Sequence, residues 1–186
     1  MEEAHQQEPN RRDFIFVATI TVGAIGAGLV AWPFIDQMNP DAAALALATI
    51  EVDISAIEPG MSVTAKWQGK PIFIRHRTDE EIEAARAVPL NELKDGVARN
   101  GNLPEDAPAT DENRAAPGHE RFMIMVGVCT HLGCVPLGQA GDFGGWFCPC
   151  HGSHYDTAGR IRLGPAPQNL DVPVLNFLTD TLVRIG

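Results

Sequence analysis

A run of 22 residues near the N-terminus, residues 14–35, contains no Asp, Glu, Lys, Arg or His. As an α-helix this run would be about 33 Å long, enough to cross the roughly 30 Å hydrocarbon core of a membrane. A cleaved signal peptide is the other interpretation, because Ala-Leu-Ala at 44–46 and at 46–48 resembles a cleavage site. The apolar part of a signal peptide is usually only about 7–15 residues long, however. We therefore expect one transmembrane helix over 14–35.

Basic residues flank only one end of this run. Arg11 and Arg12 lie just before it, and no Lys or Arg follows it until Lys66. The positive-inside rule therefore places residues 1–13 in the cytoplasm and the remainder of the chain outside. Residues 10–14, Asn-Arg-Arg-Asp-Phe, also resemble a twin-arginine export signal, which serves proteins that fold around a cofactor before export.

The chain beyond the helix divides into a tether and a folded head. Residues 36–48 contain a helix-breaking Asn-Pro pair followed by Ala and Leu, which predicts a flexible hinge or a plain linker. Residues 49–186 show short apolar alternations and one capping box at Thr78, which opens a short helix. Residues 95–120 are polar and rich in Gly, Pro and Asn, and they predict a long surface insertion. Strands are expected at 49–54, 63–67, 71–75, 121–128, 172–175 and 182–185. The pattern predicts a mainly β fold, an antiparallel sandwich or barrel.

Composition excludes one class of partner. The chain has 24 acidic residues against 14 basic ones, giving a net charge of −10. Nothing in such a chain would neutralise phosphates, so we expect no nucleic acid partner.

Two short segments contain all four cysteines, residues 129–134 (Cys-Thr-His-Leu-Gly-Cys) and residues 148–155 (Cys-Pro-Cys-His-Gly-Ser-His-Tyr). Thiolates and imidazoles placed close together are ligands of transition metals. Three interpretations are open: a tetrahedral zinc site, two disulfides, or a binuclear iron–sulfur cluster with two Cys on one iron and two His on the other. Zinc leaves two cysteines unused and disulfides leave the histidines idle, whereas the cluster gives all of them a role. Spacing does not choose His151 over His154, or Cys148 over Cys150.

These segments, together with Gly-Pro-Ala-Pro at 164–167, resemble the Rieske iron–sulfur subunits of bacterial cytochrome bc complexes. The resemblance implies a head with a small cluster-binding subdomain at about 127–168, and one [2Fe–2S] cluster per chain. The implied ligands are Cys129, His131, Cys148 and His151. Two thiolates and two neutral imidazoles leave the oxidised core uncharged, so adding an electron costs less than it would with four thiolates.

The resemblance also assigns residues around the cluster. It implies a disulfide between Cys134 and Cys150. It implies that the hydroxyls of Ser153 and Tyr155 donate to sulfur atoms, that of Tyr155 to Cys129. The loop formed by Gly164, Pro165, Ala166 and Pro167 would cover the cluster, and Leu132 would be a docking residue.

The function implied by the resemblance is that of a subunit of a quinol–cytochrome c reductase, an oxidoreductase of the respiratory chain. The head would take an electron from quinol at a cytochrome b subunit, with a proton passing to a ligand histidine (His131 or, being outermost, His151). It would pass the electron to a c-type haem. The implied setting is a dimeric complex in the inner membrane of a bacterium, with the head in the periplasm. Two alternatives remain: another exported Rieske relay, such as the small subunit of an arsenite oxidase, and a structural zinc domain.

Overall fold

The structure is a computed structural model that describes residues 10–42, 44, 48–116 and 118–186. It separates into an N-terminal unit and a head that begins at residue 46. Residues 1–9 of the expected cytoplasmic segment and residues 43 and 45–47 of the expected hinge lie outside the described residues, as does residue 117 of the insertion.

The N-terminal unit contains one long helix, α1 (Arg11–Asp36), which includes the whole apolar run. Asn10 caps it: its side-chain oxygen accepts from the backbone N–H groups of Arg12 and Asp13 at 2.9 and 3.0 Å. The carboxylate of Asp13 accepts from the backbone N–H of Asn10 in return. This capping box satisfies the first free donors of the helix. By length and hydropathy α1 is able to cross a membrane.

The described part of the head contains ten strands and two short α-helices, all formed by short segments. The helices are α2 (Asp79–Arg86), which Thr78 caps, and α3 (Asp111–Arg114), and a 3₁₀ turn lies at Leu90–Glu92. The strands are β1 (Ile50–Asp53), β2 (Ser62–Trp67), β3 (Lys70–His76), β4 (Phe122–Val126), β5 (Leu137–Gly138), β6 (Gly144–Cys148), β7 (Ser153–Asp156), β8 (Ile161–Leu163), β9 (Leu175–Phe177) and β10 (Leu182–Ile185).

The strands form three antiparallel sheets with the orders β1-β10-β9, β2-β3-β4 and β5-β6-β7-β8. The first sheet joins the two ends of the head, since β1 pairs with β10, and the second joins β3 to β4 across the intervening helices and the insertion. The third is formed by one continuous segment. It contains the second Cys/His segment and lies within the expected cluster-binding subdomain at about 127–168, so we call it the cluster-binding sheet. The expected mainly β, antiparallel sandwich is confirmed.

In the central sheet, β2-β3-β4, the strands β3 and β4 are buried on both faces, whereas the edge strand β2 exposes alternate side chains. Side chains alternate across a strand, so Ile72 and Ile74 point to one face and Phe73 to the other. The isoleucine face packs against the sheet of β1, β9 and β10, in a core that includes Val183 and Ile185. The opposite face packs against the cluster-binding sheet in a second core of larger side chains. That core contains Phe73, Met123, Met125, Trp146, Tyr155, Ile161 and the two cysteines Cys129 and Cys148.

Close packing between the central and the cluster-binding sheets depends on one glycine. The rings of Phe73 and Trp146 stack with centroids 5.8 Å apart and planes 9° from parallel. A Cβ at Gly127 would lie 2.5 Å from the Phe73 ring, closer than any real contact. A side chain there would therefore displace the ring that joins the two sheets.

The expected description of residues 95–120 as a surface insertion is incomplete, because the structure buries several of its polar side chains. Asp111 forms an ion pair with Arg77 in which neither side chain is exposed. The guanidinium of Arg114, also fully buried, donates to the carbonyls of Ala98, Ala158 and Leu170, the last two at 2.9 and 2.6 Å. Most of these partners are distant in sequence. The polar composition of residues 95–120 therefore predicts an exposed loop and does not reveal that some of its side chains are buried.

Strand positions agree with expectation except near the C-terminus and in the ligand segments. The strand expected at 172–175 lies at Leu175–Phe177, and Val172 makes only an isolated parallel bridge to Asn100 of the insertion. Strands β5 to β8 were not anticipated. They are short and interrupted by glycines, and periodicity is weak over so few residues.

Candidate metal centre

The first Cys/His segment is a tight loop after β4. The backbone N–H of Cys129 donates to the carbonyl of Cys134 at 2.7 Å, and that of Gly133 donates to the carbonyl of Cys129 at 3.0 Å. Gly133 has φ +83°, in the left-handed region that favours glycine. The chain thus returns on itself within six residues, so that Cys129 and His131 lie in one closed loop.

The second segment forms the tip of the β6–β7 hairpin. Cys148 ends β6 and pairs with Ser153, the first residue of β7. The backbone N–H of Gly152 closes the turn onto the carbonyl of Cys148 at 3.0 Å. The turn therefore presents Cys150 and His151 at the exposed end of the hairpin, while Cys148 stays buried at its base.

A disulfide joins the two loops, between Cys134 and Cys150. The sulfur of Cys148 lies within 4.8 Å of both bonded sulfurs. A bonded pair offers no thiolate, so the cysteines that remain able to bind metal are Cys129 and Cys148, both free and about 2% exposed. The bridge therefore favours Cys148 over Cys150 as a metal ligand, a choice that the spacing left open.

The histidines of the two loops face each other. The rings of His131 and His151 lie perpendicular, with centroids 4.6 Å apart. Within the described residues, Nδ1 of His131 is buried and has no hydrogen-bond partner. A buried polar atom without a partner is costly unless something else satisfies it, and a metal ion does so for an imidazole nitrogen.

His154 occupies a different environment. Its Nδ1 accepts from the backbone N–H of Asp142 at 3.2 Å, and its ring packs edge-on against Phe143 and Phe147. This nitrogen already has a partner and lies among aromatic rings, so the geometry favours His151.

The two free thiols differ in their electrostatic surroundings. Burial raises the pKa of Cys129, but hydrogen bonds from the Tyr155 hydroxyl and from the backbone of His131 outweigh it, and the net pKa is lowered. Burial raises the pKa of Cys148, with a further increase from the neighbouring Cys129. The two sulfurs are close enough that their charges would repel each other if both thiols were ionised. A cation bound between them would offset this repulsion.

Two hydroxyls lie beside these thiols. Tyr155 donates from its hydroxyl to Sγ of Cys129 at 3.3 Å. Burial, then the bond to Cys129, raise the pKa of Tyr155, so this phenol stays protonated and remains a donor. The Ser153 hydroxyl oxygen, 1% exposed, accepts from the backbone N–H of Ala166 at 3.1 Å, which leaves its hydrogen free to donate.

Residues 164–168, here called the proline loop, lie across both ligand loops. Gly164 has φ +100°, and a Cβ there would lie 2.4 Å from the carbonyl oxygen of Gly152. Ala166 is buried, whereas Pro165 and Pro167 are exposed. At the far end Thr130 donates from its hydroxyl to the carbonyl of Gln168 at 2.7 Å.

Thr130 is a contact residue that the sequence analysis did not single out. Its hydroxyl also accepts from the backbone N–H of Gln168, and its own backbone N–H donates to the Tyr155 hydroxyl. The position of Thr130 between the candidate ligands Cys129 and His131 is the sequence feature that would have pointed to it. Leu132, the expected docking residue, is 71% exposed beside His131.

Comparison with known proteins places this centre in a family. The family model described as "Rieske [2Fe-2S] domain" matches residues 92–176, and that described as "Ubiquitinol-cytochrome C reductase Fe-S subunit TAT signal" matches residues 1–41. The chain is 53% identical to the ubiquinol-cytochrome c reductase iron-sulfur subunit of Rhodobacter capsulatus and 54% identical to that of Cereibacter sphaeroides, covering 100% of both chains in each case. The chain belongs to the family of ubiquinol–cytochrome c reductase iron–sulfur subunits.

A further relative and a solved structure agree with this family. The iron-sulfur subunit of Rhodospirillum rubrum is 55% identical over 96% of this chain and 93% of its own. A chain of "Hyperthermophilic respiratory Complex III" is 29% identical, with a TM-score of 0.50 over 88% of this chain and 98% of that one. These iron–sulfur subunits disfavour both the arsenite oxidase alternative and the structural zinc domain.

The residues of the centre fit the cofactor of this family. Two buried free thiols, a buried imidazole nitrogen without a partner and a second imidazole beside it are the donor set that a Rieske [2Fe–2S] cluster takes. The N-terminal apolar helix and the export-signal match fit a membrane-anchored bacterial subunit.

Proposed function

We propose that this chain is the iron–sulfur subunit of a membrane quinol–cytochrome c oxidoreductase and carries one Rieske [2Fe–2S] cluster. One observation carries the proposal. The chain is more than half identical, end to end, to subunits of that reductase, and its two disulfide-linked loops contain two buried free thiols and two facing imidazoles. The enzyme class is that of a quinol–cytochrome c reductase, of which this chain is a subunit.

Each donor has a proposed place in the site. Cys129 and Cys148 would bind one iron and His131 and His151 the other. The buried position of the unpartnered Nδ1 of His131 supports its assignment, and the exposed position of His151 leaves the outer edge of that ring open to another molecule. The disulfide holds the two ligand loops together whether or not metal is bound.

When bound, the cluster supplies a centre that gains and loses one electron. The residues of this chain set how easily that happens. Tyr155 directs its hydroxyl at the Cys129 sulfur, where added negative charge would be stabilised, and Ser153 has a free hydroxyl hydrogen in the same pocket. The proline loop and the disulfide keep water from the buried side of the centre, which strengthens these hydrogen bonds.

The exposed ring of His151 is the proposed contact with quinol. Its outer nitrogen, Nε2, would accept the quinol hydrogen bond and then the proton as the electron is transferred. Leu132 would pack beside it against the partner surface, since an exposed leucine at a binding site gains from burial there. The proposed partners are a cytochrome b subunit, where quinol is oxidised, and a c-type cytochrome, which receives the electron, in a dimeric complex.

The proposed setting is the inner membrane of a bacterium. Helix α1 would cross it once, with residues 1–13 in the cytoplasm and the head in the periplasm, as the position of Arg11 and Arg12 predicts. Residues 36–48 would act as the hinge that lets the head reach its two partners in turn.

The test uses membranes of a strain that lacks this chain and of the same strain complemented with it. Complemented membranes should reduce cytochrome c with quinol, and after dithionite reduction they should show the rhombic EPR signal of a Rieske centre. His151→Ala should abolish both, while His154→Ala should retain the signal. Quinol-dependent reduction that persists without the chain, or a reduced sample without the signal, would contradict the proposal.

A further inference from the structure

The proline loop is held at its first residue by a side chain from a distant part of the chain. Lys94 lies at the start of the insertion, 70 positions before Gly164, and its ammonium donates to the carbonyl oxygen of Gly164 at 2.7 Å. At Gly164 the loop passes close to the second ligand segment, since a Cβ there would lie 2.4 Å from the carbonyl oxygen of Gly152 and 2.6 Å from Cα of Ser153. A donor at this carbonyl therefore acts where the loop meets the metal centre.

Just beyond the other end of the loop, the chain is held by the neighbouring residue, Asp95. Its carboxylate accepts from the backbone N–H of Asn169 at 3.0 Å, and its carbonyl accepts from the Asn169 side-chain amide at 3.0 Å. The same amide donates to the carbonyl of Val97 at 2.8 Å, and its oxygen accepts from the backbone N–H of Ile161 at 2.9 Å. Asn169 is fully buried, so these bonds are shielded from competing water.

Consecutive residues thus hold the first residue of the five-residue loop and Asn169, the residue that directly follows it. The bonds join residues 70 to 74 positions apart, and the short stretch 94–97 supplies all of the partners on its side. Lys66 and Lys70, the only other lysines, make no side-chain hydrogen bond among the described residues. The contact of Lys94 is therefore not a general property of lysines in this chain.

We propose that residues 94–97 form a clasp that positions the proline loop over the metal centre, with Lys94 and Asp95 as positioning residues. The loop in turn places the backbone N–H of Ala166 on the Ser153 hydroxyl oxygen, which orients that hydroxyl. Loosening the clasp frees the hydroxyl to turn and admits water. The consequence for the cluster rests on the proposed ligand set, whereas the consequence for the loop does not.

The test measures loop order and reduction potential separately, on the full-length chain in its membrane complex. The main variant is Lys94→Met, which removes the donor at an exposed position and leaves the core untouched. Lys94→Arg keeps a charged donor, and Lys70→Met is the matched control. Asp95→Ala releases Asn169, the residue that follows the loop.

Hydrogen exchange followed by mass spectrometry should show the backbone amides of Ala166 and of residues 168–170 exchanging about five-fold faster in Lys94→Met, since a hydrogen bond of ordinary net strength is lost. Asp95→Ala should show a larger increase, and Lys94→Arg and Lys70→Met should match the wild type. EPR redox titration should show a lower potential in Lys94→Met and a smaller change in Lys94→Arg.

Three results would overturn the clasp. The first is unchanged exchange of these backbone amides in Lys94→Met. The second is an equal increase in Lys70→Met. The third is a shifted reduction potential in Lys94→Met without faster amide exchange. That result would mean that Lys94 acts on the cluster through its charge alone and does not hold the loop. Exchange can be followed in chains without a Rieske signal, so a failure of the proposed function remains distinguishable.

Discussion

The hydroxyl of Tyr155 makes more than one hydrogen bond although the side chain is fully buried. It donates to Sγ of Cys129 and accepts from the backbone N–H of Thr130, each at 3.3 Å. Burial raises the pKa of the phenol, which keeps the proton on oxygen and fixes the direction of the bond to sulfur. One hydroxyl thereby lowers the pKa of a buried thiol and holds the loop that carries it.

Replacing this hydroxyl tests its effect on reduction. Tyr155→Phe keeps the ring and removes the donor to Cys129, so we expect the free energy of reduction to become less favourable by about 1–2 kcal/mol. Protein-film voltammetry gives the potential, and EPR shows whether the cluster is retained. Ser62→Ala, which removes a hydroxyl from the central sheet, is the control. An unchanged potential in Tyr155→Phe would refute the assigned donor role.

Asp95 links stability to pH. Burial raises the pKa of its carboxyl, but bonds from the backbone of Asn169 and from Arg99 outweigh it, and the net pKa is lowered. A depressed folded-state pKa stabilises the fold above the unfolded value of about 3.9, and this stabilisation is lost as the pH falls through the folded pKa. We expect Asp95→Asn to lose about 1–2 kcal/mol at pH 7 and to approach the wild type below about pH 4. Urea unfolding at a series of pH values measures this, and a constant difference across the series would contradict it.

Among the elements of the head, the insertion acts as an internal support. Arg114 of α3 donates to carbonyls from three separate segments, and no carboxylate in the described part of the chain bonds to it directly. Burial lowers its pKa to about 10, which still leaves it charged at neutral pH. The bond from the buried guanidinium to the carbonyl of Ala158 fixes the turn after β7. It thereby supports the β6–β7 hairpin, which carries Cys148 and His151.

The Arg114 side chain should therefore matter more for stability than an exposed arginine. Arg114→Met leaves buried carbonyls without donors, and we expect the free energy of unfolding to fall by about 3 kcal/mol or more. Arg121→Met, which breaks an exposed pair with Asp79, should cost about 0–1 kcal/mol. Thermal unfolding of the two variants compares them. Equal losses would show that the buried contacts carry no special weight.

For the whole molecule, the anchor and the head are separate units with different requirements. The helix needs only length and apolar character, whereas the head needs three sheets in register and two closed loops. Four arginines, Arg75, Arg77, Arg114 and Arg160, are buried in the head. Because these four positive charges lie inside the head, fewer of the 14 basic residues remain on the surface to offset its acidic residues.

The proposed hinge yields a prediction for the assembled enzyme. Ala42→Pro combined with Ala44→Pro restricts the backbone of the tether, and we expect slower quinol-dependent cytochrome c reduction with an unchanged EPR signal. The matched control replaces the same two alanines by serine. Steady-state turnover of membranes measures the effect. Full turnover in the proline variant would remove hinge motion from the proposed function.

The chemistry of the site could be predicted because its donors are close in sequence. Cys129 and His131 lie in one loop, and Cys148 and His151 in another, so residue type and spacing already point to a metal. The choice of Cys148 over Cys150 needed the disulfide, and the choice of His151 over His154 needed the aromatic environment of the latter. Both depend on contacts between segments, which spacing does not encode.

By itself the sequence indicated the apolar helix, the strands at 63–67 and 71–75 and the two segments that contain the candidate donors, because each follows from local periodicity or from the chemistry of neighbouring side chains. Only the tertiary structure decided that strands β3 and β4 are buried on both faces, that the polar insertion carries buried arginine and aspartate, and that residues 94–97 hold the proline loop. These features rest on hydrogen bonds and packing between residues 30 to 75 positions apart. A buried charge becomes tolerable only when such distant partners arrive together.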